Sequence, residues 1–71
     1  MTIEEIEQAL SFLNDESPKS HDEWLRLRED ALTCIMWLVS HGDEAPNWLV
    51  RFACRMFDRA NKGIEKYRPQ L

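Results

Sequence analysis

Apolar residues recur every three or four positions along almost the whole of this chain, and only two clusters of turn-forming residues interrupt them. This interval matches the turn of an α-helix and differs from the two-residue period of a β-strand. Two Gly and three Pro among 71 residues are too few for the many turns that a fold of short strands requires. The sequence therefore predicts an all-α fold.

The first helix is predicted to begin with a capping box. Thr2 precedes Glu5 by three residues, so the hydroxyl of Thr2 and the carboxylate of Glu5 can each bind a free backbone amide at the helix start. A run of turn formers at 14–18 ends the helix, which gives bounds of about 3–14.

The central helix is predicted over about 20–41, with helical residues from 21. Ser20 and Glu23 repeat the capping-box spacing, and Gly42 is expected to end the helix as a left-handed C-cap. A helix of this length measures about 30 Å, so it is expected to be the spine of the domain.

A third helix is predicted from 46, because Pro46 suits the first turn of a helix. It either ends at 62, before Gly63, or extends to about 67, since Gly weakens a helix without forbidding it. The three helices predict one domain over 1–71, built as a three-helix bundle or as a helical hairpin with a third helix packed on it.

The apolar side of the central helix is unusually wide. Projected at about 100° per residue, its apolar residues fill a sector of roughly 200°, about twice that of an ordinary surface helix. Either this helix is sandwiched between the other two, or it packs on them and on a second copy of the chain. Arg28 projects into the middle of the sector. It is interpreted as an interface arginine or as a rim residue with a packed stem.

Three large aromatic residues project away from the apolar stripes of their helices: Phe12, Trp37 and Trp48. Aromatic side chains are over-represented among the residues that dominate binding energy in protein interfaces. We therefore expect at least one of them to contact a partner. The alternative is that a loop or the C-terminal tail covers them.

Charge is divided unevenly along the chain. Residues 1–44 carry eleven acids and three bases, whereas residues 45–71 carry two acids and six bases, for a total of −4. The bases of the third helix project into one narrow sector, which is a solvated face or a site for phosphate or for an acidic protein surface. This row consists of Arg51, Arg55, Arg59, Lys62 and Lys66.

No residue pattern indicates catalysis, a cofactor or a metal. The candidate metal ligands are His21, Cys34, His41 and Cys54, whose spacing fits no zinc motif. Paired acids lie at helix starts, where capping and the helix dipole explain them, and two isolated Gly cannot form a phosphate-binding loop. The chain is predicted not to be an enzyme.

A helix-turn-helix is an alternative interpretation, because a basic helix follows the central helix after a short turn. The central helix is long for that role, Leu38 stands where the crossing prefers a small residue, and the net charge is negative. Nucleic-acid binding through the third helix is therefore the second hypothesis.

The sequence also predicts a cytoplasmic protein without membrane contact. Its acidic start does not resemble a signal peptide, and its longest apolar run, at 34–39, is too short to span a bilayer. In the cytoplasm Cys34 and Cys54 would be reduced thiols.

The leading hypothesis is a small protein-interaction module, expected to be a homodimer, that binds another protein and modulates it. Inhibition is the expected effect, and an adaptor function is the alternative. A short, acidic, helical and aromatic-rich chain is an outline shared by phage and plasmid accessory proteins that inhibit a host protein. The predicted contact residues are Phe12, Arg28, Trp37, Trp48, Arg51, Arg55, Arg59 and Lys62.

Overall fold

The computed structural model describes residues 2–68, which form three α-helices: α1 (Ile3–Asp15), α2 (His21–Ser40) and α3 (Asn47–Lys66). No strand occurs within the described residues. The all-α, three-helix prediction is confirmed, and the predicted bounds lie within one residue of the observed ones once the longer alternative is taken for the third helix.

The hydroxyl half of each predicted capping box forms, but neither glutamate binds the backbone amide of its N-cap residue. The hydroxyl oxygens of Thr2 and Ser20 each accept a hydrogen bond, of 3.2 Å, from the backbone amides of Glu5 and Glu23. The carboxylate of Glu23 also accepts one of 2.6 Å from the amide of Lys19. A side-chain N-cap of this kind stabilises a helix by about 1 kcal/mol. Local chemistry therefore sets where α1 and α2 begin.

The prediction that Gly42 ends α2 in a left-handed conformation is wrong, because no glycine in the described chain has a positive φ. The helix ends instead at His41, whose amide donates to the carbonyl oxygens of Trp37 and Leu38 at 3.1 and 3.3 Å. A tight turn with right-handed backbone then leads to α3. Pro46 is the N-cap of α3, one residue before the first helical residue.

α3 continues through Gly63 because the glycine leaves room for a tryptophan. The amide of Tyr67 donates to the carbonyl oxygen of Gly63 at 3.0 Å, so the helical hydrogen-bonding pattern is unbroken there. The ring of Trp24 lies directly against Gly63, and a Cβ at that position would overlap the ring. The longer of the two predicted ends of the third helix is therefore the observed one, and Gly63 is retained there for packing against Trp24.

α2 and α3 form an antiparallel hairpin with the largest interface of the molecule. Trp24 at the start of α2 stacks with Tyr67 at the end of α3, with ring centroids 6.3 Å apart. The buried core residues that α2 and α3 contribute are Trp24, Leu27, Ala31, Cys34, Leu38, Leu49, Ala53, Met56 and Ala60.

α1 packs on one side of this hairpin through Ile6, Leu10 and Leu13, all of them buried. The three helices form an elongated body of 45 × 17 × 17 Å. Within the described residues no helix is long and apolar enough to cross a membrane.

We expect Gly63→Ala to lower the free energy of unfolding. Overpacking against the Trp24 ring costs about 1–3 kcal/mol, which exceeds the gain of up to about 1 kcal/mol in helix propensity. Urea denaturation followed by circular dichroism measures the change.

Gly42→Ala is the matched control, since the nearest atom to its added Cβ would be the carbonyl oxygen of Val39 at 3.7 Å. This variant should unfold at the same free energy or up to about 1 kcal/mol higher. Equal stability of the two variants would contradict the packing role of Gly63.

Candidate interaction surfaces

One side of α3 combines an exposed tryptophan with exposed cations. Trp48 is 52% exposed, and its neighbours in the same sector, about 60° wide in helical projection, are all exposed as well. We call this surface the α3 basic face and define it by Trp48, Arg51, Arg55 and Lys62. Lys66 projects into the same sector, and its Nζ lies over the Tyr67 ring at 5.8 Å from the centroid.

The α3 basic face points outward because the opposite side of the helix is buried in the core. Leu49, Ala53 and Ala60 are each 0% exposed, so the orientation of α3 about its own axis is fixed. The acids nearest to the face in projection are Asp58 and, further from it, Glu65. The face is thus a rigid, predominantly positive surface carrying one large aromatic ring.

Arg59 belongs to the basic row in sequence but is engaged within the chain. Its guanidinium donates hydrogen bonds to the carbonyl oxygens of Leu13 at 3.2 Å and Glu16 at 2.7 Å, and lies over the Trp24 ring at 5.2 Å from the centroid. These carbonyls are at the C-terminal end of α1, where a cation is favoured by the helix dipole. Arg59 therefore fastens α1 to the hairpin.

Trp37 is half-buried and packs against the core rather than lying free on the surface. Its ring stacks on that of His41 with centroids 3.9 Å apart and an interplanar angle of 16°. The Nδ1 atom of His41 is 2.8 Å from the carbonyl oxygen of Trp37. The two rings together cover the end of α2, and only part of Trp37 faces solvent.

Phe12 is the most exposed aromatic residue of the described chain, at 71%. It lies on the outer side of α1, where it lines a shallow depression with polar and acidic neighbours. Phe12 and Trp48 are thus on different helices and in surroundings of opposite charge. Residues 69–71, part of the tail proposed as a cover for such aromatics, lie outside the described residues.

α2 leaves a row of apolar residues uncovered. Leu32, Met36 and Val39 are 42%, 62% and 69% exposed. Arg28, on the same side of α2, is half-buried. The interpretation of α2 as fully sandwiched between the other helices is therefore wrong. α1 and α3 cover adjoining parts of the apolar sector and leave a third part open.

These three exposed residues were not among the predicted contact residues. The signal that could have found them was the excess width of the apolar sector, which exceeds what two neighbouring helices can cover. The sequence did not show which part of the sector the neighbours would leave open, because that depends on how α1 and α3 are placed.

The two thiols have different environments. Cys34 is buried and Cys54 is exposed. Burial raises the pKa of the Cys34 thiol, and the nearby carboxylate of Asp30 raises it further. Cys34 is therefore protonated at neutral pH and behaves as a small apolar core residue. Among residues 2–68, no three His, Cys, Asp or Glu side chains are grouped so that they could hold a metal ion.

We expect Arg59→Ala to lower the free energy of unfolding by about 1.5–3 kcal/mol, because hydrogen bonds from a charged group to two backbone carbonyls are lost. Arg55→Ala is the matched control from the same row. It is exposed and should change stability by less than about 0.5 kcal/mol. Denaturation of both variants measures the difference, and equal losses would mean that Arg59 does not fasten α1.

Of the predicted contact residues, the structure brings Trp48, Arg51, Arg55 and Lys62 together on one face. Phe12 lies on α1, Arg28 and Trp37 lie on different sides of α2, and Arg59 binds the end of α1. Comparisons of the chain with protein-family models, with curated proteins and with solved structures give no match.

Proposed function

We propose that this chain is a small, non-catalytic protein-interaction module that binds another protein through the α3 basic face and inhibits it. The observation that carries the proposal is the exposed Trp48 beside three exposed cations on a helix whose orientation is fixed by its buried side. Exposed tryptophan and arginine are the residues most enriched among those that dominate binding energy.

The chemistry of the face favours an acidic protein surface as the partner. Arginine guanidinium groups bind carboxylates through two parallel hydrogen bonds, and Arg51 and Arg55 are one helical turn apart. The Trp48 ring offers a large apolar area with one N–H donor. A rigid helix also loses little conformational entropy on binding, so a few such contacts give useful affinity.

Inhibition is proposed because a helix of about 30 Å can cover an active site or an interaction surface without any chemistry of its own. This is the mode of action expected of a phage or plasmid accessory protein. We also propose that the chain acts in the cytoplasm, where the exposed Cys54 stays reduced, and that it forms a homodimer.

Nucleic-acid binding is the alternative function, and the same face supports it. Arg51, Arg55 and Lys62 could contact phosphates, and Trp48 could stack on an unpaired base. The net charge of −4 and the acidic outer side of α1 oppose approach to a polyanion. The acidic protein partner is therefore preferred.

We expect a double charge reversal, Arg51→Glu with Arg55→Glu, to abolish capture of the partner from an extract of the native host. Trp48→Ser should weaken capture at least about tenfold, as expected for a residue contributing over about 1.4 kcal/mol. Affinity capture on the immobilised chain followed by quantitative mass spectrometry measures both effects.

The matched control is Lys19→Glu with Arg26→Glu, which changes the net charge equally at exposed positions outside the α3 basic face. It should capture the same partner as the unchanged chain. Loss of capture in the control, or its persistence in the Arg51/Arg55 variant, would contradict the proposed face. Retention on heparin at low salt that falls steeply with salt and disappears in the Arg51/Arg55 variant would favour nucleic acid instead.

A further inference from the structure

We propose that the side of the α2–α3 hairpin opposite α1 binds a basic amphipathic helix of another protein. That side combines an uncovered apolar groove with a border of acidic residues on both helices. The surface and its partner both differ from those of the α3 basic face, so neither proposal depends on the other.

The side of the hairpin that α1 occupies is marked by Arg59, which reaches the end of α1. In helical projection, Phe57 and Ile64 lie about 140–160° away from Arg59, on the opposite flank of the buried stripe of α3. Both are only half-buried, although they pack against the core. α3 thus has a partly uncovered apolar flank where α1 does not reach.

α2 exposes its apolar row on this same side. For two antiparallel right-handed helices packed through their buried stripes, Leu32 and Val39 project to the same side of the hairpin as Phe57. The surface extends for about 21 Å along α3, from Val50 to Ile64. We call it the apolar groove, and it consists of Leu32, Met36, Val39, Val50, Phe57 and Ile64.

The opposite side of the hairpin already holds a helix in this way. There α1 packs through Ile6, Leu10 and Leu13, which are spaced three or four positions apart and are buried. α1 has 13 residues, a length of about 20 Å, so the apolar groove matches a helix of similar length. An amphipathic helix lying there would complete a four-helix arrangement, a common way of burying such a surface.

Acidic residues border the apolar groove on both helices. Going round each helix in projection from the groove toward its outer side, the first charged residues are Glu29 and then Asp22 on α2. On α3 they are Glu65 and then Asp58. All four are exposed, and the cations of the α3 basic face lie further round. A partner that fills the groove therefore meets carboxylates along both of its flanks.

The four acids form two pairs across the groove. The packing of Trp24 at the end of α3 sets the register of the two antiparallel helices. In that register Asp22 is level with Glu65, and the two pairs are about 10 Å apart along the groove. Glu29 is likewise level with Asp58. A helix lying in the groove would meet these pairs with Lys or Arg at seven-residue spacing on each flank, and with its apolar stripe between them.

The acidic border disfavours other occupants. Two copies of the chain joined through their apolar grooves would bring acidic borders together, and like charges repel. α3 is the one predominantly basic helix of the described chain, and its apolar stripe is buried in its own core, so it is not free to enter the groove of another copy. An anionic lipid surface would be repelled as well. The proposed homodimer would therefore use another surface.

Arg28 is the one arginine or lysine of the described chain that projects into the apolar groove, where it is half-buried. A single guanidinium does not balance the four carboxylates of the border, so the surface stays negative. Because an unpaired cation in an apolar contact is costly, the partner should place a polar or acidic residue opposite Arg28. Its own cations should stay on its flanks.

The test uses the whole chain with a synthetic amphipathic helix of about 18 residues, which has a stripe of Leu and has Lys on both flanks. We expect micromolar binding of this Lys helix and none of a matched helix with Glu in place of every Lys. Fluorescence anisotropy of the labelled peptides measures binding. Circular dichroism should show that the Lys helix gains helicity when bound.

Two groove variants should each weaken binding of the Lys helix at least about tenfold. Met36→Ser with Val39→Ser removes apolar contact area, and Glu29→Lys with Asp58→Lys turns attraction at the border into repulsion. Circular dichroism checks that each variant folds.

The matched control for charge is Glu4→Lys with Glu7→Lys, which alters the net charge equally at exposed positions on α1. It should change binding by less than about twofold, since distant charges are screened by salt. Arg51→Glu with Arg55→Glu, which alters the α3 basic face, should bind the Lys helix at least as tightly as the unchanged chain does.

Cys54 reports where the peptide binds, because it is exposed and projects between the apolar groove and Glu65. Its alkylation rate should fall in proportion to the bound fraction of the Lys helix. In the Met36/Val39 variant the rate should not change at the same peptide concentration.

Four outcomes would overturn the proposal: no binding of the Lys helix, equal binding of the Glu helix, undiminished binding by either folded groove variant, or unchanged alkylation of Cys54 at saturation. Loss of binding in the Glu4/Glu7 control would place the peptide on α1 and would overturn it too. Sedimentation equilibrium that shows a dimer dissociated by the Met36/Val39 substitutions would make a second copy the occupant instead.

Discussion

The packing of Trp24 against Gly63 is the contact on which the rest of the structure depends. It joins the start of α2 to the end of α3, and Tyr67 stacks on the same ring. Arg59 lies over the same ring, 5.2 Å from its centroid, and donates hydrogen bonds to carbonyl oxygens at the end of α1. Trp24 and Arg59 together therefore connect all three helices. The indole N–H of Trp24 is buried without a hydrogen-bond partner among the described residues, a cost of about 1–3 kcal/mol that the burial of the large ring offsets.

This junction also determines which charges of α3 are available to a partner. Arg59 and Arg55 belong to the same basic row, yet one binds backbone carbonyls of α1 and the other is exposed. The rotation of α3 that seats Leu49 and Ala60 in the core directs Trp48 and the remaining cations outward. Neighbouring residues of one helix therefore have different roles: Arg59 stabilises the fold, and Arg55 is available to a binding partner.

A core of this size leaves the chain marginally stable by itself, because small domains bury a limited fraction of their surface. The apolar row on α2 is therefore informative: Leu32, Met36 and Val39 would add stability only if something covered them.

The sequence by itself determined the helical class, the starts of α1 and α2 and the apolar stripes, because capping and periodicity arise from interactions within a few residues. It also indicated the basic row and an apolar sector too wide for α2. Only the tertiary structure decided that α3 continues through Gly63, that Arg59 is engaged by α1, and that Gly42 keeps a right-handed conformation. The tertiary structure also decided which part of the apolar sector of α2 remains exposed to solvent. Each of these depends on contacts between residues distant in sequence, and helical spacing carries no information on where a neighbouring helix lies.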